Sequence, residues 1–125
     1  KEQYKLQNGK YVVPAPVEEK LTMTPYVEAA YVHGANMEYN ICVLSLNKEA
    51  ITEYLNSMGV SKQEEHTADH PIVSKLIENL ISSMEGVKSY EKPKEFFCTF
   101  DEWTPDNGML TPSFKLKRRK ILENF

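Results

Sequence analysis

Asn107-Gly108-Met109-Leu110-Thr111-Pro112-Ser113-Phe114-Lys115-Leu116-Lys117-Arg118 is a turn that runs into a cluster of cations. Asn-Gly is a strong tight-turn dipeptide, and a residue that precedes proline, here Thr111, is pushed out of the helical region. Lys115 therefore falls on or beside a loop, where its long stem is free to reach outward. By residue type alone, Lys115, Lys117, Arg118, Arg119 and Lys120 read as a solvated charged face, and the run also passes as a nuclear-import or heparin-type patch.

The same stretch resembles the closing motif of the long-chain acyl-CoA synthetases, members of the adenylate-forming enzymes that include luciferase and the adenylation domains of peptide synthetases. Across that superfamily the residue before the lysine is usually glycine, as in Thr-Pro-Ser-Gly-Lys. This chain has Phe114, which resembles the long-chain fatty-acid branch. The resemblance implies that Lys115 is catalytic on a loop spanning 107–118, where it serves the attack of a carboxylate on the α-phosphorus of ATP. Both reactants are anions and charge builds on the phosphate oxygens in the transition state, so an ammonium that bridges them stabilises both. Lysine suits the task as a point charge on a long stem.

At the other end, Lys1-Glu2-Gln3-Tyr4-Lys5-Leu6-Gln7-Asn8-Gly9-Lys10-Tyr11-Val12-Val13 begins polar, turns at Asn8-Gly9 and continues into β-branched and aromatic residues, the pattern of a small hairpin. It also resembles the acyl-CoA synthetase segment Lys-Asp/Glu-x-x-Lys-Leu-x-x-Gly-Glu-Tyr, with Lys10 standing where glutamate is common. The resemblance implies that Lys1 is the hinge between two subdomains. It further implies that Lys5, Gly9 and Tyr11 lie in a loop that nears the pantetheine thiol of CoA in the second half-reaction, where glycine lets backbone approach a ligand closely.

Between these ends the chain has the composition of an ordinary globular protein. Its 125 residues are 41% apolar and 26% charged, enough for one domain over 1–125 with a modest core. Fifteen basic against eighteen acidic residues leave a net charge of -3, so the chain offers no field for nucleic acid. No apolar run reaches the length of a membrane span, and a first residue of Lys1 rather than Met reads as a piece of something longer. Cys42 and Cys98, far apart and in apolar surroundings, read as reduced core thiols. No Asn-x-Ser/Thr acceptor occurs, which suits an intracellular chain.

Taken in order, Pro16 with Glu18-Glu19 behind it predicts a short helix that Thr24-Pro25 ends, the two acids being solvated helix-start charges. Tyr26 to Val32 alternates, with Val27, Ala29 and Tyr31 on one face and Glu28, Ala30 and Val32 on the other. Gly34-Ala35-Asn36 turns, and Ile41 to Leu46 returns as the second strand of an antiparallel pair. Asn47 predicts the cap of a helix with Ala50, Ile51, Tyr54, Leu55 and Met58 as its core stripe and Gly59 as its stop. Ser61 to His70 is polar and reads as a surface loop. Pro71 opens the strongest helix, in which Ile72, Val73, Leu76, Ile77, Leu80, Ile81 and Met84 recur at helical spacing up to Gly86. Lys94 to Phe100 reads as a third strand. A strand pair around 107–118 and a basic helix over 117–125, with Ile121, Leu122 and Phe125 turned inward, close the chain.

His66 and His70 stand one helical turn apart, a spacing that can serve a metal, but His70 precedes Pro71 and no third ligand follows; no metal site is assigned. The predicted fold is α+β: a small mixed β-sheet with helices packed against it and a β-hairpin at the amino end. That agrees with the fold the resemblance implies, the mobile carboxyl-terminal subdomain of adenylate-forming enzymes. The resemblance also implies a larger amino-terminal subdomain as partner, and fatty acid, ATP, CoA and magnesium as substrates and cofactor of the full-length enzyme. This chain alone is expected to bind none of them tightly and to be inactive. An intracellular setting follows, cytoplasmic or peripheral on the cytoplasmic face of a membrane such as the endoplasmic reticulum. Two other readings remain: a medium-chain or aryl acid ligase, and a stand-alone interaction domain with a basic carboxyl-terminal helix.

Overall fold

A computed structural model describes residues 2–125, so the expected hinge, Lys1, lies outside the described residues. The Asn8-Gly9 turn forms with Gly9 at φ +86°, a left-handed value open to glycine without strain. It pairs β1 (Tyr4–Lys5) antiparallel with β2 (Tyr11–Val12). The hairpin is tied to the next turn, where the Gln7 N–H donates to the Met37 carbonyl and the Asn36 N–H to the Lys5 carbonyl, both at 2.9 Å.

Helix α1 (Pro14–Leu21) begins at Pro14 rather than Pro16, because a proline in the first turn lacks only an N–H that has no helical partner there. Strands β3 (Val27–His33), β4 (Ile41–Leu46) and β5 (Glu95–Thr99) form a sheet in the order β3-β4-β5, antiparallel then parallel. The mixed sheet is as expected, but one face assignment is corrected. Val27 pairs with Leu46 and Ala29 with Ser45, so Glu28 is an extra residue, and this bulge inverts the alternation. Val27 therefore joins Ala30 and Val32 in one core, while Ala29 and Tyr31 face another.

The first core packs those strand residues, with Cys42, Leu44 and Leu46, against Val17 and Leu21 of α1, Ile51 and Leu55 of α2 (Lys48–Ser57), and Val73, Ile77 and Ile81 of α3 (Pro71–Ser82). Asn47 caps α2 as expected, its Oδ1 accepting from the Ala50 N–H at 3.0 Å. Met58 leaves the expected stripe and is 52% exposed, since α2 stops at Ser57. Helix α3 ends at Ser82, so Met84 and Gly86 belong to the connection that follows. His66 is buried rather than on a surface loop, with Nε2 2.7 Å from the Val60 carbonyl, and His70 caps α3 by accepting from the Ile72 N–H at 3.0 Å. Both cysteines are free, and burial pushes their thiols up, that of Cys98 to about 12.

The second core lies on the opposite sheet face and holds Tyr31, Val43, Trp103 and Ile121, flanked by Met109, Leu110 and Leu116. The strand pair expected around 107–118 reduces to one bridge, Leu110 to Leu116. Helix α4 (Arg118–Asn124) buries Ile121, but Leu122 and Phe125 are 42% and 43% exposed, not packed inward as the spacing suggested.

Candidate functional site

The loop expected to carry Lys115 is a closed tight turn. The Phe114 N–H donates to the Thr111 carbonyl at 2.8 Å, the Thr111 N–H to the Lys115 carbonyl at 2.7 Å, and the Lys115 N–H to Thr111 Oγ1 at 3.1 Å. Phe114 closes it at φ +65°, in the left-handed region that costs a non-glycine residue about 1–2 kcal/mol. Its ring is 71% exposed. A position that needs positive φ is one where glycine is at home. Beyond the turn, the Leu110–Leu116 bridge and a 2.9 Å bond from the Lys117 N–H to the Met109 carbonyl seat the loop on the second core. Lys115 itself is exposed and lines a groove with Ala15, Glu19 and Arg118. A neighbouring groove of about 680 Å³ runs past Phe114, Trp103 and Ser45 and includes Glu19, Glu28 and Glu102.

Arg118 does not belong to a solvated basic face. Its Nη1 and Nη2 donate to the two carboxylate oxygens of Glu18, both at 2.7 Å, a bidentate pair. The same carboxylate accepts from the Val32 N–H at 2.8 Å on the open edge of β3. Arg118 also stacks 5.7 Å from the Tyr31 ring centroid. Burial works against its charge, but the hydrogen bond and the field of Glu18 outweigh that and hold the guanidinium above its ordinary range. Glu18, read from the sequence as a solvated charge, is 7% exposed. A signal for this was present: positions 14, 17, 18 and 21 make the core-facing stripe of a helix, and an acid in that stripe needs a partner. Nothing in the sequence pointed to Arg118 as that partner.

Lys5, Gly9 and Tyr11 sit together on the hairpin, with Lys5 Nζ 5.6 Å from the Tyr11 ring centroid and Tyr11 58% exposed. The structure does not bring them to Lys115. The hairpin is bonded to Asn36, Met37 and, through Tyr4, to Asn40 where β4 begins; Phe114 shares its groove with Glu28 and Ser45, at the opposite ends of the strands. Asn40 was missed by sequence reasoning. It is fully buried, its Oδ1 accepting from the Tyr4 hydroxyl at 2.5 Å and its Nδ2 donating to the Glu91 carbonyl at 2.8 Å. Among the described residues no group of three or more His, Cys, Asp or Glu side chains could hold a metal ion, and no helix is long and apolar enough to cross a membrane.

No protein-family model matches the chain. It is 28% identical over 98% of its length to fatty acyl-CoA synthetase B of Dictyostelium discoideum and 27% identical over 98% to long-chain-fatty-acid–CoA ligase 5 of Rattus norvegicus. It spans only 19% and 18% of those two proteins. In structure it superposes, with TM-score 0.76 and 24% identity, on the adenylation and carrier didomain of a carboxylic acid reductase from Segniliparus rugosus solved with AMP, over 99% of this chain and 16% of that one. The small mixed sheet with its amino-terminal hairpin is therefore a fold found in adenylate-forming enzymes. Over nearly its whole length, then, the chain is similar in sequence to one part of the fatty acyl-CoA synthetases and shares a fold with one part of the carboxylic acid reductase adenylation and carrier didomain.

Proposed function

We propose that this chain is the carboxyl-terminal subdomain of an ATP-dependent long-chain fatty acid:CoA ligase, an enzyme that converts acid, ATP and CoA to acyl-CoA, AMP and pyrophosphate through an acyl-adenylate. Lys115 is its adenylation lysine. The observation that carries the reading is the turn Thr111–Lys115, whose closing hydrogen bonds hold an exposed ammonium on a loop seated against the second core. The fatty-acyl names of the relatives support the substrate class. In the first half-reaction the Lys115 ammonium bridges the attacking carboxylate and the α-phosphate, both anionic, and offsets the charge that accumulates on the phosphate oxygens. The carboxylate oxygen forms its bond to the α-phosphorus as pyrophosphate leaves.

In the second half-reaction the thiol of CoA attacks the acyl carbonyl and AMP departs. The hairpin, with Gly9 at its turn and Lys5 and Tyr11 on its strands, is the element turned toward that site after rotation about Lys1. Lys5, Gly9 and Tyr11 line neither the groove of Lys115 nor the one beside it, which supports a domain that offers a different face in each step. The larger amino-terminal subdomain supplies the nucleotide and acyl pockets. Among the described residues no three His, Cys, Asp or Glu side chains converge to hold magnesium, and no step runs through it. Placement inside the cell, in the cytoplasm or on the cytoplasmic face of a membrane, is part of the same proposal.

Lys115→Ala in the full-length enzyme tests the assignment. Deleting one electrostatic contact to a developing charge costs about 100-fold to 1000-fold. Pyrophosphate release should fall by that amount, while thioester formation from presynthesised acyl-adenylate and CoA stays near normal. Lys117→Ala and Arg119→Ala change net charge equally and should cost little. Equal losses in both steps for all three variants would reduce Lys115 to one member of a charged surface.

A further inference from the structure

We propose that Glu18 is a positioning residue for Lys115 and acts through Arg118, an inference that rests on the adenylation reading of Lys115 given above. The loop that carries Lys115 is weakly held by apolar contact, since Met109, Leu110 and Leu116 are only half-buried. Besides the Lys117 N–H bond to the Met109 carbonyl and the buried Ile121, the segment that follows Lys115 is fixed by the Arg118–Glu18 pair, with two bonds of 2.7 Å, while Glu2 stands 4.0 Å from Arg118 Nε; the Glu18 carboxylate is itself fixed by the Val32 N–H of β3 at 2.8 Å. A continuous chain of short, charge-assisted bonds thus runs from the sheet backbone to the exit of the lysine turn. A lysine on an exposed turn has a mobile stem, so the placement of its Cα decides how often the ammonium meets both anions.

Glu18 has a second consequence for the same site. Arg118 lines the groove that Lys115 lines, and a free guanidinium there is a competing fork for phosphate or carboxylate. Both carboxylate oxygens of Glu18 are used on that fork. The charge left to face an anionic substrate is then the lysine. Loss of Glu18 would release the turn and also supply a misplaced cation, whereas Gln at position 18 keeps an acceptor for the Val32 N–H and so spares the β3 edge.

The experiment is done in the full-length enzyme with Glu18→Gln, Arg118→Gln, the double variant and Lys115→Ala, reading pyrophosphate release and the thioester step separately. Misplacement of a reacting group by about 1 Å costs on the order of 100-fold, so Glu18→Gln should lower the adenylation kcat by about 10- to 100-fold. The KM for ATP should move little, and the thioester step from presynthesised acyl-adenylate should be unchanged. Because Glu18 works through Arg118, the double variant should be no slower than the slower single. An unchanged adenylation rate for Glu18→Gln beside a large loss for Lys115→Ala overturns the positioning role and leaves the lysine assignment standing. Parallel loss of both half-reactions, or losses that multiply in the double variant, likewise overturns it in favour of a purely structural pair. If Lys115→Ala leaves adenylation intact, the lysine reading falls and the role of Glu18 falls with it.

Discussion

Replacing Asn40 by alanine should be among the more damaging single changes to this fold, although the residue carries no charge and touches no candidate catalytic group. Its side chain is fully buried and joins Tyr4 of β1 and the Glu91 carbonyl ahead of β5 to the residue that immediately precedes β4. The fit is tight, since a Cβ added to Gly34 would collide with the Asn40 amide. Asn40→Ala keeps the backbone bond in which the Lys94 N–H donates to the Asn40 carbonyl at 2.9 Å but deletes both side-chain bonds. Tyr4 and Glu91 are half-buried, so water replaces part of what is lost, and each bond counts for about 1 kcal/mol. The space vacated adds about 1 kcal/mol. A total of about 2–3 kcal/mol is a large share of the roughly 5–15 kcal/mol that holds a domain of this size. Urea unfolding of the 125-residue chain measures it, with Tyr4→Phe and the double variant completing a cycle. Tyr4→Phe should cost about 1 kcal/mol and the double variant little more than Asn40→Ala, because the two singles share one bond. A shift below about 0.5 kcal/mol for Asn40→Ala, or full additivity in the cycle, refutes the assignment of Asn40 as the joint between hairpin and sheet.

Phe114 is strained and exposed, so Phe114→Gly should be more stable than Phe114→Ala by about 1 kcal/mol; equal urea midpoints would argue against the left-handed backbone at this turn. Tyr4 gives a pH signature. Burial first, and then the charge of Glu18, hold its hydroxyl above the ordinary 10.0. The folded state therefore keeps a proton that the unfolded state releases, so this contribution is constant below pH 10 and is lost as pH rises beyond it. Urea midpoints followed from roughly pH 9 to pH 11 should fall less steeply in Tyr4→Phe than in the unaltered chain, and identical slopes would remove Tyr4 as a source.

Much of the architecture was legible because it depends on local chemistry. Asn47 capped its helix, Asn8-Gly9 turned its hairpin, and the apolar period after Pro71 placed α3 in the core, each through interactions within a few residues. The errors share a cause, in that each was decided by a partner distant in the chain. The bulge at Glu28 depends on the register that β4 imposes, and it moved Val27 to the other face. Leu122 and Phe125 stay half-exposed because the sheet face beneath α4 has room for Ile121, already framed by Trp103 and Tyr31.

For the site, the sequence by itself determined the turn around Pro112, the exposure of Lys115 and, through motifs at both ends, the resemblance that the relatives bear out. Tertiary structure alone decided which charges are free. Glu18 and Arg118 carry the same formal charges as Glu19 and Arg119 beside them, yet the first two are bound together, Glu18 buried and Arg118 half-buried, while the neighbours face solvent. The separation of the hairpin from the lysine loop was likewise settled by folding. Glu18 and Arg118 meet across 100 positions and Tyr4 and Asn40 across 36, and local propensity carries no information about such contacts because their energy exists only once the sheet has brought the segments together.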